Sequence, residues 1–229
     1  MFDQGVVMTE TRKVVYGFDI SRWQRRINWA AVDRQSFGFC IIRIGVYRSV
    51  DPVWPEHYQG AGGAGLLRGA YWAIIPAAYM PDQFEQALEI YMTAQFELPL
   101  FFDLEVPHWN GYQGYLKELE EGIRRLDKHN FVRWGIYTNY IFATYNRFHL
   151  LQRLADQPLW IAHWNVQKPA VPLPWKGWFI WQYAVAPQRS FRFYQGRLDL
   201  DVSTTDKLDT LQKWPYHQIE NQTESKPGG

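Results

Sequence analysis

Residues 98–106 have the sequence LPLFFDLEV, an apolar run whose only charged residues are Asp103 and Glu105. A short continuous apolar run of this kind is typical of a strand that is buried on both faces. A helical pattern over residues 82–96 precedes it, and another β-rich run, residues 67–75, precedes that helix. This β-α-β order predicts parallel neighbouring strands that are connected by a helix on the outside of a sheet.

The same alternation extends over most of the chain and predicts about eight strands. The predicted strands are Val14–Ile20, Phe37–Ile44, Leu67–Ile75, Leu98–Val106, Arg133–Thr138, Pro158–His163, Trp178–Tyr183 and Leu198–Val202. The predicted helices are Asn28–Gln35 with an Asn cap, His57–Ala64, Asp82–Phe96, Tyr112–His129 and Ile141–Ala155. Five β/α units followed by three strands without helices predict an α/β fold whose sheet closes into a TIM-like barrel.

The ends of the chain differ in composition from this alternating region. Residues 1–13 are polar and unpatterned, and residues 216–229 are polar and end in Pro-Gly-Gly. We predict an N-terminal arm at 1–13, a single barrel domain at 14–215 and a disordered tail at 216–229. The one cysteine, Cys40, lies in an apolar run, which excludes an intrachain disulfide and predicts a buried, inert thiol.

The overall composition is that of a globular protein with an unusual aromatic content. Hydrophobic residues make up 47% and charged residues 21%, and the net charge is +1. This balance gives no broad electrostatic reason to bind nucleic acid or an anionic membrane. Phe, Trp and Tyr make up 17% of the chain. An aromatic excess without a basic excess favours a protein that stacks its rings on a neutral ligand such as a sugar.

Membrane and export signals are not evident in the sequence. It contains no run of 18 apolar residues and no Sec-type signal peptide at its start. We therefore expect synthesis in the cytoplasm and no insertion into a membrane. We also expect a monomer.

Acidic residues fall at the ends of several predicted strands. Residues i and i+2 of a strand point to the same side, so Asp103 and Glu105 are both expected at the barrel mouth. Two close carboxyl groups push their pKa values apart, so that one holds a proton near neutral pH while the other is ionised. That combination suits the cleavage of a glycosidic bond, whose leaving oxygen needs a proton and whose transition state carries positive charge. Asp19, Asp199 and Asp201 are expected at the same end of the barrel.

Other uses of these residues remain open on the pattern alone. Asp19 or Asp201, taken singly, fits a capping or loop residue that accepts backbone hydrogen bonds. Clustered carboxylates could also hold Mg²⁺, but no further Glu or Lys completes such a site, and no His spacing fits zinc. We predict no metal and no cofactor. About half of the strand-end aromatic residues are expected to fill the barrel interior and the rest to line the mouth.

Taken in order, several short motifs resemble the glycoside hydrolase family 25 lysozymes, the Chalaropsis-type N-acetylmuramidases. The motifs that carry the resemblance are GFDIS at 17–21 with Trp23-Gln24 and Ile27-Asn28-Trp29, Phe39–Arg43, Val50–Pro52, Gly60–Leu66 with Gly69–Tyr71, Phe102–Glu105, Gly135–Thr138, Leu159–Ala162, Trp181–Tyr183 and Leu198–Asp201. Each is weak alone, but their order from about residue 16 to residue 203 is specific. The resemblance implies a flattened barrel of the type (β/α)5(β)3.

The resemblance also implies an activity and roles for individual residues. The activity is cleavage of the β-1,4 bond between N-acetylmuramic acid and N-acetylglucosamine in peptidoglycan. Glu105 would be the general acid/base, and Asp103 would assist attack by the substrate's own 2-acetamido group. Asp19 and Asp199 would be supporting carboxylates. The predicted substrate-binding residues are Tyr71, Tyr137, Trp160, Trp181, Gln182 and Asp201.

Two departures from the family pattern affect the predicted mouth. The stretch Gly45–Ser49 lacks the Thr-Glu-Gly that the family often has there, and Asp201 stands where the family usually has Asn. Asp201 therefore adds a negative charge beside Asp199, which could raise a local pKa.

Three functions remain to be distinguished. The first is an active muramidase of the phage endolysin type, which reaches the cell wall after holin-type release. The second is a catalytically inactive module that binds peptidoglycan or serves in a virion structure. The third is a glycosidase that acts on another N-acetylated glycan such as chitin.

Overall fold

The computed structural model describes residues 13–129 and 132–214 of the 229 in the chain. The predicted tail at 216–229, and the predicted arm apart from Lys13, lie outside the described residues. Within the described ranges, no helix combines the length and apolar character needed to cross a bilayer.

The core of the fold is a barrel of eight strands, with one short additional strand at its edge. The strands are β1 Val14–Ile20, β2 Phe39–Val46, β3 Ser49–Val50, β4 Leu67–Ala73, β5 Leu100–Asp103, β6 Trp134–Asn139, β7 Leu159–Ala162, β8 Ile180–Ala186 and β9 Leu198–Thr204. Pairing between β1 and β2 closes the sheet, and β3 forms only a hairpin with β2. The α/β barrel and its eight predicted strands are confirmed.

The last barrel strand runs against its neighbours. Strand β9 is antiparallel to both β1 and β8, whereas the other pairings within the barrel are parallel. Asp199 and Asp201 were grouped with the acidic residues at strand ends, which is wrong for β9. They lie near its beginning, and the reversed direction brings that beginning to the same mouth as the end of β1.

The helices agree with the prediction less closely. They are α1 Trp54–Gly63, α2 Met80–Tyr91, α3 Gly111–Leu126, α4 Tyr140–Tyr145 and α5 Thr205–Lys213. The predicted helix Asn28–Gln35 is only a 3-10 turn, Trp29–Ala31, and Asn28 makes no side-chain cap. The predicted helix Ile141–Ala155 ends early, because Arg147 adopts a left-handed conformation (φ 55°) and two 3-10 turns follow.

Helix α5 was not predicted, and it closes the bottom of the barrel. Its Leu208 and Leu211 are buried in one apolar cluster with Phe39, Leu98 and Phe101 from the barrel interior. At the same end, the Arg133 guanidinium donates to the carbonyls of Glu97 (2.9 Å) and Gln212 (2.8 Å), which ties α5 to the strands. The bottom is therefore closed by apolar packing and by the hydrogen bonds of Arg133. The opposite end is open, and the acidic residues lie there.

Candidate active site

The predicted carboxylates meet at the open end of the barrel. Asp19 on β1 lies directly opposite Asp199 on β9. Asp103 is the last residue of β5, and Glu105 follows two residues later at the exposed surface of the mouth. Since the carboxyl ends of parallel strands face this end, the barrel brings together acidic residues that are far apart in the sequence.

Asp103 and Glu105 lie side by side, close enough for each carboxyl group to change the pKa of the other. Burial raises the pKa of Asp103 well above its ordinary value, and the nearby charge of Glu105 raises it further. Burial also raises the pKa of Glu105 although this residue keeps exposed surface, and the neighbouring Asp103 side chain opposes that rise. Two adjacent carboxyl groups that are partly removed from water resist ionising together, so the pair retains a proton over a pH range in which isolated carboxyl groups are ionised.

Asp19 is held in a buried network of neutral donors. Gln182 donates from Nε2 to Asp19 Oδ2 at 2.8 Å. The other end of the same amide, Oε1, accepts from Tyr137 OH at 2.9 Å and Trp164 Nε1 at 3.1 Å. Burial raises the pKa of Asp19 well above its ordinary value, Asp199 adds to the rise, and the Gln182 bond opposes it. The amide therefore fixes the Asp19 carboxyl group in place.

Asp201 is the most costly carboxyl group at this end. Its residue has no exposed surface. Oδ1 accepts from Trp160 Nε1 at 2.8 Å, while Oδ2 is buried without a hydrogen-bond partner. Burial and the neighbouring Asp19 raise its pKa well above the ordinary value. An unpaired buried charge is unfavourable, which favours the neutral acid at this position.

The sequence analysis missed a polar residue that contacts the acidic pair. Asn139 ends β6, and its side-chain amide lies beside Glu105 and lowers the pKa of that carboxyl group. Its Oδ1 accepts from the Phe142 backbone N–H at 2.8 Å and so caps α4. A polar residue at the end of an apolar strand is the signal that could have identified it.

The sequence analysis also missed the cation beside the carboxylates. Arg43 is almost buried and lowers the pKa of both Asp19 and Asp103. Its Nε donates to Asp51 Oδ2 at 2.9 Å. The pairing of β2 with β4 shifts register between Arg43 and Gly45, an irregularity of the kind that redirects side chains next to active sites. A charged residue within an apolar strand is the signal that could have identified Arg43.

The predicted sugar contacts divide into buried and accessible residues. Tyr137, Trp160 and Gln182 are at most 5% exposed and, together with Asp201, support the carboxylates from below. Their burial leaves little surface for a ligand, and their direct contact with substrate stays a prediction. Tyr71 and Trp181 are half-buried and retain accessible surface.

Two exposed tryptophans extend the accessible aromatic surface beyond the predicted set. Trp164 is 49% exposed and follows β7, and Trp109 is 80% exposed and follows β5. Among the described residues, no group of three or more His, Cys, Asp or Glu has an arrangement suited to a metal ion.

Comparison with known proteins assigns the family. The sequence profile of the glycosyl hydrolases family 25 matches residues 18–190, and the chain belongs to this family. The matched segment includes Asp19, Asp103 and Glu105 and ends before Asp199 and Asp201.

Individual relatives agree with this assignment. The chain is 28% identical over 187 residues to Lysozyme M1 of Streptomyces globisporus, covering 74% of this chain and 62% of that protein. It is 27% identical over 177 residues to the uncharacterized protein YegX of Escherichia coli O157:H7, covering 74% and 63%. The chain thus spans less than two thirds of the length of these relatives. The fold matches a bacterial lysozyme from Streptomyces coelicolor with a TM-score of 0.71, at 24% identity, covering 87% of this chain and 95% of that one.

Proposed function

We propose that the protein is a peptidoglycan hydrolase of the muramidase type, which cleaves the β-1,4 bond between N-acetylmuramic acid and N-acetylglucosamine. The observation that carries this proposal is the adjacent pair of carboxyl groups, Asp103 and Glu105, at the open end of the barrel, with both pKa values raised. Membership of glycosyl hydrolases family 25 supports the reaction class, and similarity to Lysozyme M1 supports the wall polymer as substrate.

In this proposal Glu105 is the general acid/base. It lies at the surface of the mouth, where a leaving-group oxygen can approach it, and its raised pKa keeps it protonated to higher pH. It transfers its proton to the glycosidic oxygen as the bond to the anomeric carbon breaks. Water then attacks the same carbon, the bond that the substrate's acetamido oxygen formed there in the first step breaks, and a proton of the water passes to Glu105, which restores the starting state.

Asp103 acts on the substrate's 2-acetamido group rather than on the anomeric carbon. As the leaving group departs, the acetamido oxygen bonds to the anomeric carbon, and Asp103 accepts a hydrogen bond from the acetamido N–H. Asp103 is half-buried and adjoins Glu105, so both carboxyl groups can reach one sugar unit that is bound at the mouth. Asp19 and Asp199 are supporting carboxyl groups, because Asp19 raises the pKa of Asp103 and Asp199 raises the pKa of Glu105, which favours retention of the proton that the reaction uses.

The cell wall is then the place of action, and peptidoglycan strands are the partner. The accessible rings Tyr71, Trp181 and Trp164 supply apolar surface for sugar rings at the mouth. The endolysin role with holin-type release and the monomeric state stay predictions.

The identity of the cleaved bond tests the proposal. Purified peptidoglycan is digested, the new reducing ends are reduced with borohydride, and the reduced amino sugar is identified after acid hydrolysis. Reduced muramic acid is the expected product, and Glu105→Gln is expected to produce none. Reduced glucosamine would show that the opposite bond is cut. No new ends from walls or chitin would contradict hydrolysis and favour an inactive binding module.

A further inference from the structure

A second surface at the barrel mouth is strongly basic although the chain as a whole is nearly neutral. The loop after β1, residues 21–26, has the sequence SRWQRR, and the loop before β9, residues 187–197, has the sequence PQRSFRFYQGR. Each loop contains three arginines and no acidic residue. The net charge of +1 conceals this concentration of positive charge on one side of the mouth.

The two loops pack against each other and leave the barrel beside the carboxylates. Ser21 lies two residues beyond Asp19, and Arg197 lies two residues before Asp199. Gln24 Nε2 donates to the Arg197 carbonyl at 3.4 Å, and the Asn28 N–H donates to the Phe193 carbonyl at 2.8 Å. The basic surface therefore continues directly from the cleft in which the glycan is proposed to bind.

Arg22, Arg25 and Arg26 surround a concave site of about 680 Å³ together with Trp23 and Tyr194. We call these three arginines and Trp23 the arginine rim. Trp23 is 70% exposed, and the Arg22 guanidinium lies 5.0 Å from the centre of its ring. Within residues 13–129 and 132–214, no carboxylate forms an ion pair with any of the three guanidinium groups.

The loop that carries the arginine rim is held in place by buried groups. Asp51, itself buried, accepts from the Arg22 backbone N–H at 2.9 Å and from Arg43 Nε at 2.9 Å. The Ser21 N–H donates to Gln24 Oε1 at 2.9 Å, which fixes the turn. Arg25 Nε also donates to the Arg22 carbonyl at 3.3 Å, so the loop holds its arginines on one face, and the remaining guanidinium N–H groups are available to an anion.

We propose that the arginine rim binds the free carboxylates of the peptide stems of the glycan strand that occupies the cleft. Guanidinium groups bind carboxylates through paired hydrogen bonds, and the exposed face of Trp23 offers apolar surface to the stem side chains. The rim adjoins the cleft, so an anionic group carried by the same strand reaches it. This inference rests on the proposed function, because the stems belong to peptidoglycan.

The test compares two forms of one substrate. Soluble, uncross-linked strands with intact stems are treated with hydrogen fluoride to remove phosphate, and half of them are then amidated at the carboxylates with carbodiimide and ammonia. The rim variant is Arg22→Gln/Arg25→Gln/Arg26→Gln. The control variant, Lys117→Gln/Lys128→Gln/Lys213→Gln, removes the same charge from exposed positions on or next to α3 and α5.

The rim variant is expected to lose about fivefold to tenfold in kcat/KM on strands with free carboxylates, which is the size expected from a few exposed ion pairs. On amidated strands the rim variant is expected to match the unmodified protein. The control variant is expected to match the unmodified protein on both forms of strand. Salt at about 1 M is expected to remove the difference by screening. An equal loss on both forms, no loss on either, or a loss only on walls that retain phosphate would overturn the proposal.

A binding measurement separates this proposal from the proposed function. The Glu105→Gln protein, with and without the rim substitutions, is titrated calorimetrically with the two forms of strand. If the rim substitutions weaken binding of the free-carboxylate strands and not of the amidated strands, the proposed role of the arginine rim is supported. This holds even if the unmodified protein cuts no bond. Hydrolysis by the unmodified protein with identical binding by both variants would refute the rim and leave the muramidase proposal standing.

Discussion

The two ends of the barrel differ in whether their buried polar groups have hydrogen-bond partners. At the bottom, Arg133 donates to backbone carbonyls of two segments, and Leu208 and Leu211 of α5 fill the remaining space. At the mouth, Asp201 has a buried oxygen without a partner, and the pKa values of Asp19, Asp103, Glu105 and Asp199 are all raised.

The difference separates what stabilises the protein from what the proposed chemistry uses. The backbone partners of Arg133 at the bottom make its partial burial neutral or favourable for folding. At the mouth, neutral side chains in place of the carboxyl groups would make the folded protein more stable. Retention of such unfavourable carboxyl groups is typical of active sites. Substitutions at the two ends are therefore expected to move stability and activity in different directions.

The largest expected effect is on turnover at the mouth. Glu105→Gln is expected to lower kcat by at least about 10²-fold, because the variant cannot donate a proton to the leaving oxygen. Its free energy of unfolding is not expected to fall. Reducing-end assays and urea titrations on one preparation measure both quantities, with Glu120→Gln on the exposed face of α3 as control. Turnover within tenfold of the unmodified protein would exclude Glu105 as the acid.

At the bottom the pattern is expected to reverse. Leu211→Ala opens a cavity at a fully buried position and is expected to cost about 2–5 kcal/mol of unfolding free energy. Turnover per folded molecule is expected to stay the same, because α5 does not reach the mouth. Leu173→Ala, at a leucine that is 69% exposed, is the control and is expected to change neither quantity. Loss of turnover in folded Leu211→Ala would show that the two ends are not independent.

A smaller effect of opposite sign is expected from Asp201→Asn. The raised pKa keeps this carboxyl group protonated in the folded protein while the unfolded chain ionises above about pH 4. Stability is therefore lost as pH rises from that value through the folded pKa, and the amide removes the loss. We expect a gain of about 1–3 kcal/mol at pH 7 that vanishes at pH below about 4.

The exposed Asp209→Asn is the matched control for that substitution. Urea titrations of the three proteins at several pH values give the comparison. A variant that is less stable than the unmodified protein at pH 7 would mean that an ionised Asp201 is stabilising.

Much of the fold follows from local patterns in the sequence. Apolar runs at regular intervals predicted the eight strands, and the spacing of Leu116, Leu119 and Ile123 predicted α3. The direction of β9 could not be predicted from its apolar run, because such a run fits a parallel strand and an antiparallel strand equally well. The 11-residue link between β8 and β9 without a helix is nevertheless too short for most parallel crossovers. Helix α5 was missed because only Leu208 and Leu211 of its nine residues are buried.

The site was predictable where its signal lies within one strand. Asp103 and Glu105 stand out because two acidic residues interrupt an apolar run at the i, i+2 spacing. Arg43 and Asn139 were missed because their roles depend on neighbours that only the closed barrel supplies. The arginine rim was missed because a whole-chain net charge averages over surfaces that the fold keeps apart.

The most direct test of the account is the free energy of unfolding of Asp103→Asn relative to the unmodified protein, measured from about pH 4 to pH 7. The raised pKa of Asp103 means that its ionisation opposes folding, so the variant is expected to be the more stable protein at pH 7 and to lose this advantage toward pH 4. A variant that is less stable at pH 7 would contradict the account, because Asp103 would then be a structural carboxylate that the fold requires.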